Sequence, residues 1–159
     1  MQEHDIEMLE LSIELARNAK AAGNHPFGAV LTDLSGTVLH RAENTVMTAK
    51  DATGHAETNL IRMASAELSA TELRETVLFS STEPCAMCSG AIYIAGIRRL
   101  VFAVGKSELL EFVEARRSTT DFLRIASREI LQTGPEIVDV AGPLDPNTPL
   151  YAAALAVHE

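Results

Sequence analysis

The chain is poor in several features, and each shortage removes a class of protein. It has two cysteines in 159 residues, Cys85 and Cys88. If both serve a metal, none is left for a disulfide, and nothing points to an oxidising compartment. No apolar run approaches about 18 residues, the length a helical membrane span requires. Met1-Gln2-Glu3-His4-Asp5 has neither a basic n-region nor an apolar h-region, so the expectation is a soluble, cytoplasmic protein. Basic residues are also scarce, 13 against 22 acidic ones for a net charge of −9. They are scattered apart from Arg98-Arg99, Arg116-Arg117, Arg124 and Arg128. A nucleic-acid binder needs a basic footprint, because phosphate contacts dominate its affinity. No nucleic-acid partner is therefore expected, and the arginine pairs read as solvated surface or subunit contacts. Repeats and low-complexity segments are missing too. What remains, at 47% hydrophobic residues, is enough for the core of one domain over residues 1–159.

Against that background two short stretches stand out, Gly54-His55-Ala56-Glu57 and Thr82-Glu83-Pro84-Cys85-Ala86-Met87-Cys88. Together they contain one histidine, both cysteines and a carboxylate placed for proton transfer. Three protein ligands leave one tetrahedral position open for water, which distinguishes catalytic zinc from closed structural zinc. Pro84 suits the first turn of a helix, where its missing N–H has no partner to lose. Cys85 and Cys88 then share one face at i and i+3, and the positive helix end favours thiolates, the form that binds metal. His55 and Glu57 are two residues apart, which in a helix interior turns them about 160° from each other. They can share a site only where a helix begins, and Gly54 followed by Leu60-Ile61-Met63-Ala64 puts that beginning here. The Cys-x-x-Cys pair alone also fits a thioredoxin-like redox motif or half of a zinc knuckle, but the first does not use His55-Ala56-Glu57 and the second wants four ligands.

Around these stretches the periodicity predicts an amphipathic helix from Asp5 to Ala22 and a strand over Phe27–Thr32. A turn at Ser35-Gly36 and an antiparallel partner over Thr37–Ala42 complete a hairpin. A polar irregular connection from Asn44 to Thr53 leads to a helix from His55 to Leu68. The apolar run Thr76–Ser81 reads as a buried strand, and Cys85 to Ile97 as a helix apolar throughout and therefore expected to be buried. Leu100–Val104 reads as a strand parallel to the previous one through this crossover. Two helix N-termini at the carboxyl ends of strands make a ligand crevice. Further on, Glu108–Arg116 is helical and Ser118 through Arg128 fits no single element. Ile137–Val140 forms a fifth strand, and Pro149–Val157 a last helix. The fold class is α/β, a three-layer α/β/α sandwich with a mixed five-stranded sheet.

His-x-Glu followed by Pro-Cys-x-x-Cys is the signature of zinc nucleobase deaminases. Over residues 5 to 105 the chain resembles bacterial nucleobase and nucleoside deaminases of the cytidine deaminase superfamily, and within it the guanine deaminase branch. The likeness runs through His25-Pro26-Phe27-Gly28-Ala29-Val30, Asn44, Gly54-His55-Ala56-Glu57 and Ser81 to Tyr93. It implies one zinc ion per chain on His55, Cys85 and Cys88, with Glu57 as proton carrier. It also implies a substrate contact at Asn44, a pocket wall at Phe27, and completion of the pocket by the Ala56 N–H and the region of Glu83. The family commonly has Ala where this chain has Gly54. The segment beyond Gly105 and the C-terminal Pro149 to Glu159 have no clear counterpart, and His4, His25, His40 and His158 carry no partner pattern.

The reaction implied is hydrolytic deamination of a small nucleobase or nucleoside, guanine to xanthine first. The alternatives are guanosine, cytosine, adenine or tRNA adenosine, and a non-enzymatic zinc-stabilised binding module. Guanine presents donors from its ring N–H and amino group, so its pocket needs a carboxylate acceptor. Glu108, Glu111, Glu114 and Asp121 are the candidates. Ile92, Tyr93, Ile94 and Ile97 suggest a homodimer, since relatives of this kind self-associate.

Overall fold

In a computed structural model, residues 1–115 and 123–159 are described. The elements in chain order are α1 (Glu3–Ala21), β1 (Gly28–Asp33), β2 (Val38–Glu43), α2 (Val46–Ala49), α3 (Ala56–Glu67), α4 (Ala70–Arg74), β3 (Thr76–Thr82), α5 (Ala86–Ala95), β4 (Arg99–Val104), α6 (Lys106–Glu114), α7 (Ser127–Leu131), β5 (Asp139–Ala141) and α8 (Pro149–Ala156). The strands form one mixed sheet in the order β2-β1-β3-β4-β5. β1 runs antiparallel to both β2 and β3, whereas β3, β4 and β5 are parallel. The crossover from β3 to β4 through α5 is the expected one.

Period-two alternation in the central strands sorts side chains onto two covered faces. Ala29 and Leu31 of β1, Leu78 of β3, and Leu100 and Phe102 of β4 join Leu60 and Ala64 of α3, Leu73 of α4, Ile92 of α5 and Leu131 of α7. Val30, Val77, Phe79, Val101 and Ala103 point the other way, against Leu9, Ile13 and Ala16 of α1, Leu109 of α6 and Tyr151 and Ala154 of α8. This is the three-layer sandwich, and it explains why β3 is buried along its whole length. Gly28 marks a close contact between the sheet and α1. A Cβ there would lie 2.3 Å from the Ser12 carbonyl oxygen and 2.6 Å from the Ala16 nitrogen.

Several expectations need correction. Asn44–Thr53 is not wholly irregular, since it contains the short α2. α4 was not anticipated, although Ser69 and Glu72 form a capping box: Ser69 Oγ accepts the Glu72 N–H and Glu72 Oε2 accepts the Ser69 N–H. α5 is not buried throughout; Ile92 is in the core, but Ile94 is 86% exposed. The fifth strand begins at Asp139, and Ile137 before it is exposed. Residues 116–122, within the ambiguous stretch and including Arg116-Arg117 and Asp121, lie outside the described residues.

The close approach at Gly28 makes a direct prediction. Gly28→Ala should destabilise the protein by about 1–3 kcal/mol through overpacking, seen as a lower midpoint in urea denaturation. An unchanged midpoint would show that α1 moves away freely.

Candidate metal centre and its cavity

The site forms where α3 and α5 begin, beside the ends of the strands. His55 is the N-cap of α3, with extended backbone at φ −71° and ψ 153°. Cys85 is the N-cap of α5, likewise extended at φ −69° and ψ 172°. Pro84 therefore precedes the cap rather than filling the first turn, because Cys85 itself takes the half-in position. Cys88 is the third residue of α5. An N-cap side chain and the third helical residue are neighbours, as in a capping box, so the spacing of the pair still brings the sulfurs together.

His55 Nδ1 lies 3.6 Å from each sulfur, and the two sulfurs lie 3.6 Å apart. Zinc bonds of about 2.3 Å to sulfur and about 2.0 Å to nitrogen put tetrahedral ligand edges at roughly 3.5–3.8 Å. The triangle matches that face, so these three residues are positioned to hold the ion. Protonation among them is unequal. Hydrogen bonding to Cys88 and then to His55 draws the Cys85 thiol down to about 4 against the effect of its burial. The Cys88 thiol is pushed up by Cys85, by burial and by Glu57. His55 is raised, chiefly by its hydrogen bond to Cys85. A divalent cation draws both sulfurs into the thiolate form.

Glu57, the second residue of α3, is 5% exposed. Its Oε1 accepts the Ser80 hydroxyl at 3.1 Å, and its Oε2 lies 3.5 Å from Cys88 Sγ. Burial raises its pKa above the ordinary carboxylate value. Ser80 comes from β3 and was not singled out in the sequence; beside Ser81 and Thr82 at the end of a strand it carries no distinguishing signal.

The loop before α3 is held by Asn59. Its Nδ2 is within hydrogen-bond distance of Glu43 O, Thr45 Oγ1 and Gly54 O. A Cβ at position 54 would come within 2.9 Å of Thr45 Oγ1, so the glycine matches the local packing of this chain. Asn44 is buried. Its Oδ1 accepts the Val46 N–H at 3.1 Å, while its Nδ2 has no partner among the described residues.

A cavity opens beside the metal triad, lined by Phe27, His55, Glu57, Thr82, Glu83, Cys85, Lys106, Leu109, Leu110 and Leu123. It gathers Phe27, His55, Glu57, Glu83 and Cys85 from the expected set; Asn44 and Ala56 are not among its lining residues. Nor are Glu108, Glu111 or Glu114, and Glu114 pairs instead with Arg124. Lys106, Leu109 and Leu110 were missed because α6 meets this site only through the fold. His158, assigned no role from the sequence, packs its ring 5.3 Å from that of Phe27.

Comparison with known proteins places this centre. The protein family described as "Cytidine and deoxycytidylate deaminase zinc-binding region" matches residues 2–104. A probable cytosine deaminase of Schizosaccharomyces pombe is 35% identical over 143 residues, covering 90% of this chain and 86% of the relative. A tRNA-specific adenosine deaminase of Haemophilus influenzae is 37% identical over 100 residues, covering 63% of this chain and 58% of the relative. Among solved structures, a guanine deaminase from Nitrosomonas europaea superposes with a TM-score of 0.76 at 26% identity, covering 96% of this chain and 81% of that one. With His55, Cys85 and Cys88 positioned to hold a metal ion where two helices begin, the chain belongs to the cytidine and deoxycytidylate deaminase zinc-binding family.

Proposed function

We propose that this protein hydrolyses the exocyclic amino group of a free nucleobase or nucleoside, consuming one water and releasing ammonia. The observation that carries the reading is a buried carboxylate, Glu57, beside the three zinc ligands and on the wall of a cavity. Zinc, when bound, lowers the pKa of a coordinated water to about 7. Glu57 takes a proton from the attacking water at its carboxylate and passes it to the ring nitrogen beside the amino-bearing carbon; it then takes the proton of the newly added hydroxyl, which becomes the carbonyl, and delivers it to the departing amine. Its raised pKa suits a group that must hold a proton between these steps. Ser80 fixes one carboxylate oxygen and so orients the other. The Ala56 N–H and the unpartnered Asn44 amide are the polar groups we assign to the substrate, with Phe27 as an apolar wall.

Guanine, giving xanthine, is the first substrate reading, supported by the fold likeness to the Nitrosomonas enzyme over nearly the whole chain. A cytosine-type base is the second. The S. pombe relative favours it, and so does the position of Glu108, Glu111 and Glu114 away from the cavity lining, since guanine needs a carboxylate acceptor. The charge of −9 supports a small molecule over tRNA. So do the ion pairs of three arginines: Arg98 and Arg74 pair with Glu136, and Arg99 pairs with Asp5 and Asp139. Among the described residues no helix is long and apolar enough to cross a membrane, and a cytoplasmic location is proposed with the activity. We also propose a homodimer. Of the four residues that first suggested it, Ile92 and Ile97 are in the protein's own core, Tyr93 packs against that core, and only Ile94 stands out strongly. Met63 on α3 and Met87 at the start of α5 are also exposed.

Three outcomes are expected. Elemental analysis of Cys85→Ala and Cys88→Ala should show large losses of zinc; full occupancy in either would overturn the ligand assignment. Glu57→Gln should keep zinc and fold but lose turnover by about 10²-fold or more, measured as ammonia release over a panel of bases and nucleosides. Wild-type rates in that variant would assign the proton to another group, and the wild-type profile ranks guanine against cytosine. Light scattering should give twice the chain mass of 17.1 kDa, and Ile94→Glu should shift it towards the monomer.

A further inference from the structure

One carboxylate ties together the parts of the cavity wall that lie past the family's signature. Glu83 follows the last residue of β3 and stands two residues before Cys85. Its backbone N–H donates to Val104 O at 2.7 Å, which anchors it to the end of β4. Its Oε2 accepts the backbone N–H of Lys106 at 2.8 Å, the first residue of α6. Its Oε1 accepts the backbone N–H of Ser127 at 2.7 Å and the Ser127 hydroxyl at 2.8 Å, at the first residue of α7. Both N–H groups belong to helix starts, where no intrahelical acceptor exists and the dipole favours an anion. A second tie runs the same way, from Lys106 Nζ to the Ile125 carbonyl. Lys106 itself is 92% buried, its exposure being 8%.

These contacts alter the meaning of Glu83's place on the cavity wall. A carboxylate has about four acceptor sites, and three donors of the protein already occupy this one. We infer that Glu83 is a positioning residue. It sets where α6 and the entry to α7 stand relative to the Cys85 turn, and thereby the shape of the wall formed by Lys106, Leu109, Leu110 and Leu123. The effect on substrate rests on the deaminase reading above; the latch itself does not. A substrate has to be held near its attack geometry, and a displacement of about 1 Å can cost about 10²-fold in rate. Glu83 therefore acts on the reaction through the wall, without touching the reacting atoms.

The test combines hydrogen exchange with kinetics on the full chain. In Glu83→Ala, the amides of Lys106 and Ser127 should exchange about ten- to a hundredfold faster, the range of a lost charge-assisted hydrogen bond, while amides in β1 and α1 keep their protection and zinc content stays full. For the base that the wild type deaminates, KM should rise about tenfold or more, with a smaller change in kcat. Glu83→Gln keeps one acceptor oxygen, cannot satisfy both helix starts, and should fall between wild type and Glu83→Ala in both readouts. Ser127→Ala, which removes only the hydroxyl, should move them least. Unchanged exchange at Lys106 and Ser127 in Glu83→Ala would overturn the latch. Glu83→Gln as damaging to KM as Glu83→Ala, with both amides still protected, would make Glu83 a direct substrate ligand instead. A wild type that deaminates no base in the panel would sink the deaminase reading, and the exchange result would still decide the latch.

Discussion

Everything in this site depends on two helices starting at the same place with a metal-binding residue at each start. His55 and Cys85 are N-caps with extended backbone, and that half-turn of non-helical chain makes the ligand set possible. Inside a helix, His55 and Glu57 would face nearly opposite ways. At the cap, the histidine swings clear of the helical progression, and Glu57, already helical, reaches the same space. Cys85 and Cys88 exploit the closeness of the N-cap and third helical position, which in other helices is closed by a hydrogen bond and here by a shared metal site. β3 and β4 lie parallel with α5 between them, and that crossover sets the start of α5 beside the end of the sheet.

Placing two thiols and a carboxylate so close is electrostatically unfavourable without compensation. Glu57 Oε2 is 3.5 Å from Cys88 Sγ; burial and then the charge on Cys85 raise the Glu57 carboxyl, while Cys85, burial and Glu57 push the Cys88 thiol upward. The two helix N-termini offset part of this repulsion. A divalent cation held by these residues would offset more of it, with both sulfurs as thiolates. With a neutral His55 and two thiolates, a zinc ion held here would give the site a formal charge of zero, which would moderate its Lewis acidity.

Much of this was legible in the sequence because the decisive distances are short along the chain. The helix starts at His55 and Cys85, the parallel crossover and the two-faced alternation of β1, β3 and β4 all follow from local pattern. α4 was legible too, in Ser69-Ala70-Thr71-Glu72, and went unread. The boundary at Pro84 was off by one cap position because a proline before the N-cap and a proline in the first turn look alike in a sequence. The depth of α5 was misjudged for a different reason: its apolar residues cover the whole circumference, and only the packing decides that Ile92 is inside and Ile94 outside. Ser80, Lys106, Ser127 and His158 reach the site or its wall across long stretches of chain, and no local pattern marks such contacts.

The same division between local and distant residues separates reaction type from substrate choice. The zinc ligands and Glu57 lie within 55–88, and the family's match ends at residue 104, just before α6 begins at Lys106. Part of the cavity wall comes after that point, from Lys106, Leu109, Leu110 and Leu123. Relatives that share the first region accordingly include proteins named for cytosine, guanine and tRNA adenosine. One metal centre can serve all of them, because it acts on an amino-bearing ring carbon that the three bases have in common. Discrimination must then come from what the wall offers the rest of the ring. In this chain the carboxylate nearest that role, Glu83, is already engaged by α6 and α7. The cavity therefore meets its ligand with apolar surface from α6 and Leu123, and with few free acceptors among the described residues.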